Sequence, residues 1–256
     1  MTPPGFSEFT FRDGDITHTV FRSKANGPGV LIMHELPGMT PQCINLATRV
    51  ADAGFTVFLP LLFGEPNDNA TVANTFRVCV SHEFKCLAAH ETSPITSWLR
   101  ALSRKIHAEN LDGKGVGAIG LCLTGGFVLS LMLDPHLMAP VTSEPALPIM
   151  ALSEDAKCAL GISPAELDEA ANRNIALLGL RFSGDWICPA QRFETLEAKF
   201  GAKFESIVID SSPGNAYGIR PQAHAVLTED YNDAPGHPTR EAFERVLAFL
   251  NANLKP

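Results

Sequence analysis

Gly117-Ala118-Ile119-Gly120-Leu121-Cys122-Leu123-Thr124-Gly125-Gly126 is the stretch on which the fold turns. Gly115 to Cys122 is a continuous apolar run bounded by glycine, the pattern of a strand buried on both faces. It runs directly into a Gly-rich opening and then a helix, Thr124 to Leu133. A strand that passes into a helix through one sharp turn is the unit of a parallel sheet, and small residues on both sides let such a turn close.

The same alternation extends in both directions. Upstream, Gly29 to Glu35 reads as a buried strand, Pro41 to Ala53 as a helix stopped by Gly54, and Phe55 to Pro60 as a second buried strand. Residues 70–110 read as mostly helical, with Pro94 restarting a helix through Trp98. Downstream, Ala139 to Ser143 is short and strand-like. Ser163 to Ala171 opens with a capping box, Ile175 to Ser183 is a strand, and Pro189 to Phe200 is a helix. Phe204 to Asp210 is a strand and Pro238 to Leu254 a closing amphipathic helix. Before all of these, Phe9 to Phe11 and Ile16 to Phe21 flank Asp13-Gly14-Asp15 as an antiparallel hairpin. The expected fold is a single α/β domain over residues 1–256: a mainly parallel central sheet, helices on both faces and an N-terminal antiparallel hairpin. The Pro/Gly-rich patches at 211–221 and 233–238 read as long loops of that domain rather than linkers.

Composition narrows the function. The chain has 256 residues, 45% of them apolar, enough to bury a large core. Its net charge of −8 speaks against nucleic acid or an anionic membrane surface, which need clustered Lys and Arg. No basic segment leads into an apolar one at the N-terminus, and no apolar stretch is clean enough to span a bilayer. A cytoplasmic location is expected, with the six cysteines as free thiols. No Cys-x-x-Cys pair is present, and His34-Glu35 lacks the second His of a zinc helix, so no metal or cofactor is expected.

Cys122 stands at the strand-to-helix turn, where the side chain is lifted above the sheet and a helix N-terminus favours an anion. A nucleophile there predicts its partners in order: an acid past a later strand, then a His in a late loop. Asp185, in Phe182-Ser183-Gly184-Asp185, follows the strand ending at Ser183. His224, in Gln222-Ala223-His224-Ala225, follows the strand ending at Asp210 and a Pro/Gly-rich loop. Singly, each has a bland explanation: a buried thiol, a turn Asp, a surface His. Their order and placement lift all three together. Glu35 closes the first parallel strand, where it would face the nucleophile.

With these motifs in hand, the chain resembles the dienelactone hydrolase family, the thiol-nucleophile branch of the α/β-hydrolase fold. The matching segments are His34-Glu35-Leu36-Pro37-Gly38, Gly54-Phe55 to Pro60-Leu61-Leu62-Phe63-Gly64, Gly120-Leu121-Cys122-Leu123-Thr124-Gly125-Gly126, Phe182-Ser183-Gly184-Asp185 and His224. The resemblance implies hydrolysis of a small-molecule ester or lactone by a Cys-His-Asp triad through a thioester. Cys122 would be the nucleophile, His224 the base, Asp185 its orienter and Glu35 the partner that controls the thiol. It also implies oxyanion donation from the N–H groups of Leu36 and Leu123.

Two departures stand out. Thr124 occupies a position usually held by Gly, and no Arg follows His224, where relatives bind a substrate carboxylate. The expected pocket is therefore rimmed by apolar residues such as Phe63 and Trp186, and Arg77, Arg181 and Arg220 are the alternatives for holding an anion. A thioesterase or general carboxylesterase on the same scaffold, or a non-catalytic binder, is the competing reading. The expected assembly is a monomer or homodimer.

Overall fold

The structure, a computed structural model, describes residues 2–67, 84, 90–109, 113–147 and 153–256. Eight strands form one sheet: β1 (Phe6–Asp13), β2 (Ile16–Ser23), β3 (Gly29–Met33), β4 (Thr56–Pro60), β5 (Val116–Leu121), β6 (Leu137–Ser143), β7 (Leu177–Phe182) and β8 (Phe204–Ile209). Their spatial order is β1-β2-β4-β3-β5-β6-β7-β8. β1 and β2 pair antiparallel, and β2 joins β4 antiparallel. Every pairing from β4 through β8 is parallel. The α-helices among the described residues are α1 (Pro41–Asp52), α2 (Ile95–Ala108), α3 (Gly125–Leu131), α4 (Glu154–Cys158), α5 (Pro164–Asn172), α6 (Ala190–Phe200) and α7 (Pro238–Leu254). This is a single-domain α/β fold, as the alternation of elements predicts.

Packing explains the apolar runs. All residues of β3, β4, β5 and β7 are buried, because helices cover both faces of the sheet. One core cluster joins Leu31, Met33, Trp98, Leu99 and Phe127, and the other joins Ile32, Val50, Phe182, Val246 and Leu250. Local chemistry fixes the helix starts. Thr40 caps α1 by accepting from the Cys43 N–H, and Ser163 caps α5, exchanging hydrogen bonds with Glu166.

Several element ends shift by a residue or two from the sequence reading, and two differences bear on the site and its surroundings. β3 stops at Met33 rather than Glu35, because the Thr124 hydroxyl donates to the Met33 carbonyl (2.9 Å) and the chain then leaves the sheet. Glu154–Cys158 forms a short helix that the apolar pattern does not mark. The helical content expected before Pro94 lies almost wholly outside the described residues, as do Cys79, Cys86 and Arg77. Among the described residues, no helix is long and apolar enough to cross a membrane.

Candidate active site

The carboxyl ends of β3, β5, β6 and β7 converge with the long loop that follows β8. Open α/β sheets bind ligands along this edge.

Cys122 begins a short 3₁₀ turn (Cys122–Thr124) between β5 and α3, with its backbone at φ +51°. A side-chain-bearing residue avoids this left-handed region, and the surroundings explain why it is held there. A Cβ on Gly120 would lie 2.2 Å from the Thr124 carbonyl oxygen, and one on Gly126 would lie 2.3 Å from that of Leu160. Thr124 supplies the rest. Its hydroxyl accepts from the Leu121 N–H at 2.9 Å and donates to the Met33 carbonyl at 2.9 Å. A glycine could make neither bond, so the departure at Thr124 fastens the turn to β3 as well as β5.

Asp185 and His224 meet as the sequence order predicts. His224 Nδ1 lies 2.7 Å from Asp185 Oδ2. The other oxygen, Asp185 Oδ1, accepts from the N–H groups of Ile187 (2.9 Å) and Cys188 (3.1 Å), so the carboxylate is aimed by its own turn. That turn is braced by Arg181, which is buried and donates to the carbonyls of Cys188 (3.1 Å) and Ser183 (3.3 Å). Two of its donors are thus committed to the Asp185 turn. His224 Nε2 is buried with no hydrogen-bond partner among the described residues, and Cys122 lies near enough for its charge to act on the ring. Burial is the strongest influence on the imidazole and pushes its pKa down. The Cys122 charge and the hydrogen bond and charge of Asp185 push it up and together prevail, leaving it well above its ordinary 6.5.

Glu35 is buried just past β3, and Thr228 Oγ1 donates to its Oε1 at 2.5 Å. Burial raises its pKa first, and the nearby Glu229 and Asp230 add to that, while Thr228 and His224 pull the other way. His34 behind it is a structural residue. Its Nε2 accepts from the Leu62 N–H at 3.0 Å, which leaves the proton on Nδ1, 3.2 Å from the Glu35 carbonyl. Burial lowers its pKa to about 4, so the ring is neutral and ties the β3 and β4 loops together.

A cavity of about 320 Å³ opens beside His224, lined among others by Glu35, Leu36, Gln42, Arg220, Glu229 and Asp230. Phe63 and Trp186 are not part of its lining. Phe63 is buried, its ring 4.4 Å from that of His34 and 5.8 Å from that of Phe84, and Trp186 is 65% exposed. Arg220 reaches the cavity but is already paired with Asp230 at 2.6 Å. Among the described residues, no group of His, Cys, Asp and Glu is arranged to hold a metal ion.

Three partners of the site carry no signal in the sequence. Asp230 Oδ2 accepts from the N–H groups of His224 (2.9 Å) and Ala225 (3.2 Å), fixing the loop that presents the imidazole. Thr228 holds Glu35. Glu144, just past β6, is wholly buried near both His224 and Glu35. Each is an ordinary polar residue in a loop, recognisable only through contacts made across the fold.

Solved structures of similar architecture span the whole chain. A candidate dienelactone hydrolase from Klebsiella pneumoniae subsp. pneumoniae MGH 78578 superposes with a TM-score of 0.66 at 17% identity, covering 95% of this chain and 97% of that one. The dienelactone hydrolase from Anabaena variabilis ATCC 29413 gives 0.64 at 14% identity, covering 98% and 100%. The thioesterase domain from the curacin biosynthetic pathway gives 0.58 at 10% identity, covering 95% and 99%. At such identities these likenesses speak to the fold. No curated protein matches the sequence. The model of the dienelactone hydrolase family, however, matches residues 16–254, almost the whole chain. The strand order, the left-handed Cys122 turn and that match together make this chain a member of the dienelactone hydrolase family.

Proposed function

We propose that this hydrolase cleaves a carboxylic ester or lactone with Cys122 as nucleophile, His224 as general base and Asp185 as the residue that orients it. The observation that carries the reading is the 2.7 Å contact between His224 Nδ1 and Asp185 Oδ2, with Cys122 near enough for its charge to act on the imidazole. The Cys122 Sγ–H proton passes to His224 Nε2 while sulfur bonds to the substrate carbonyl carbon. The N–H groups of Leu36 and Leu123 receive the oxyanion, each donor worth about 3–4 kcal/mol in comparable sites. The carbon–oxygen bond then breaks, His224 returns the proton to the departing alkoxide, and a thioester remains on Cys122. Water attacks that thioester, His224 takes its proton, and the acid is released with the thiol restored.

Glu35 fits this scheme as a second proton acceptor for the thiol. A buried carboxyl with a raised pKa takes up a proton more readily than a solvent-exposed one. It would let the resting thiol remain protonated and so less open to oxidation. A substrate without a negative charge fits this setting: among the described residues, the cavity beside His224, whose lining does not include Cys122, carries Glu35, Glu229 and Asp230 against the single, already paired Arg220.

The test is a panel of p-nitrophenyl esters, lactones and thioesters assayed with wild type, Cys122→Ser and His224→Ala. Intact-protein mass spectrometry on quenched reactions reads the acyl-enzyme directly. An acyl adduct on Cys122 that accumulates in His224→Ala is the expected result. Turnover that survives at the wild-type rate in Cys122→Ala, assayed beside them, overturns the reading, since Cys122→Ser keeps an oxygen nucleophile that His224 and Asp185 could activate.

A further inference from the structure

Glu144 is a carboxyl group that the scheme above does not use, and its setting is unusual. It is wholly buried at the carboxyl end of β6, with its backbone at φ +37°. Holding a side-chain-bearing residue in that region is costly, and such strain gathers at functional sites. The main chain is fixed there from two sides. The Glu144 N–H donates to the Leu180 carbonyl of β7 at 2.7 Å, and the Ala146 N–H donates to the carbonyl of Cys122 at 3.0 Å. The side chain reaches the other way. Glu144 Oε2 accepts from Ser143 Oγ at 2.5 Å and from the Val226 N–H at 3.2 Å, two residues beyond His224. The segment 144–146 therefore holds the nucleophile's carbonyl with one hand and the His224 loop with the other.

The carboxyl's state follows from the same geometry. Both donors fall on Oε2, while Oε1 is buried with no partner among the described residues. A carboxylate would leave that oxygen's charge uncompensated in the interior, which is costly. A neutral carboxyl removes the charge at the smaller cost of one polar hydrogen without an acceptor. The charged groups that bear on it are His224 and Glu35. The carboxylate of Glu35 discourages a second negative charge, and burial, the dominant influence, drives the pKa of Glu144 well above 4.5 despite the opposing pull of His224.

We infer that Glu144 is a positioning residue that acts as a neutral clamp, joining β6 to the His224 loop through the Val226 N–H and so setting His224 against Cys122. The inference rests on the proposed Cys-His-Asp reading. The interaction is a hydrogen bond rather than a charge, so an amide of the same shape should replace it.

The experiment compares Glu144→Gln with Glu144→Leu. The first keeps an oxygen for Ser143 and Val226 and puts an NH₂ where the hydroxyl stood; the second keeps the bulk and loses both bonds. Two readouts are taken: turnover of the best ester found, and the pH dependence of iodoacetamide alkylation at Cys122, which needs no substrate. Glu144→Gln is expected to stay within about three-fold of wild-type kcat with a superimposable alkylation profile. Glu144→Leu is expected to lose about 10–100-fold in kcat with KM little changed, and to shift the profile, a part of the roughly 10²–10⁴-fold that an acid–base group contributes when fully in place. Glu144→Gln as damaged as Glu144→Leu overturns the neutral clamp, and two wild-type-like variants overturn any positioning role. If Glu144→Leu does not fold, hydrogen exchange at the Val226 amide in Glu144→Gln decides: wild-type protection supports the clamp and lost protection overturns it. Cys122→Ala run alongside separates the two proposals, since wild-type turnover in it sinks the nucleophile while leaving the Gln–Leu comparison to judge Glu144.

Discussion

The left-handed backbone of Cys122 makes a prediction in which the loss of activity and the gain of stability come from one atom. Cys122→Ala and Cys122→Gly both remove the thiol, so they are equal in site charge and differ in the Cβ. At φ +51° the Cβ of alanine is held against its preference, at a cost of about 1–2 kcal/mol. Glycine escapes that cost but gives up about 0.4–1 kcal/mol through the greater freedom of its unfolded chain. The difference leaves Cys122→Gly more stable than Cys122→Ala by about 0.8 kcal/mol at the midpoints, within a range of about 0–1.6 kcal/mol, where an ordinary position would favour alanine. For a chain of this size the midpoint is a Tm difference of about 2–3 °C. Urea unfolding followed by circular dichroism, with both variants at one pH, measures it. Alanine better than glycine would mean that the backbone at Cys122 is not left-handed in the folded protein, and the strained-turn argument would fall with it.

Other outcomes follow from the same contacts. His224→Ala and Asp185→Asn are expected to lower kcat by about 10²–10⁴-fold with the fold retained, as circular dichroism would show; wild-type turnover in both would remove the triad. In iodoacetamide labelling with peptide mapping, Cys122 is expected to react first, while Cys43 and Cys188, whose thiol pKa values burial drives far up, stay unlabelled in the native protein; preferential labelling of Cys188 would contradict the site. Glu35→Gln is expected to lose esterase activity and alter the pH dependence of alkylation with little change in Tm, whereas unchanged activity and profile would return Glu35 to a structural role. Glu35 and Glu144 are raised from 4.5 and His224 from 6.5, so each contributes stability that is lost as pH rises, while His34, lowered to about 4, and His237, also lowered, work the other way up to about pH 6.5. The test is therefore the difference between wild type and Glu144→Gln in denaturation from pH 5 to pH 9: wild type should lose more stability, or gain less, as pH rises, and the opposite result would refute the sign.

The architecture was legible because it rests on local rules. Strands such as Val30 to Met33 and Val116 to Leu121 are apolar throughout since helices cover both faces, and that shows in any window of the chain. Cys122, Asp185 and His224 were legible for a related reason: each follows a strand in the order this topology requires, so spacing alone could nominate them. The sequence by itself thus determined the sheet, its helices and which three side chains lie at one edge. It could not determine how they are held. Val226 reaches Glu144 across 82 positions and Thr228 reaches Glu35 across 193, and nothing in a loop Glu, Thr or Asp distinguishes a buried clamp from a solvated side chain. Phe63 illustrates the same limit, an aromatic residue near the site by sequence whose ring is committed to His34 and Phe84. Only the tertiary structure decided these, because hydrogen-bond partners and desolvation are properties of the assembled loops, while periodicity records which face of an element turns inward.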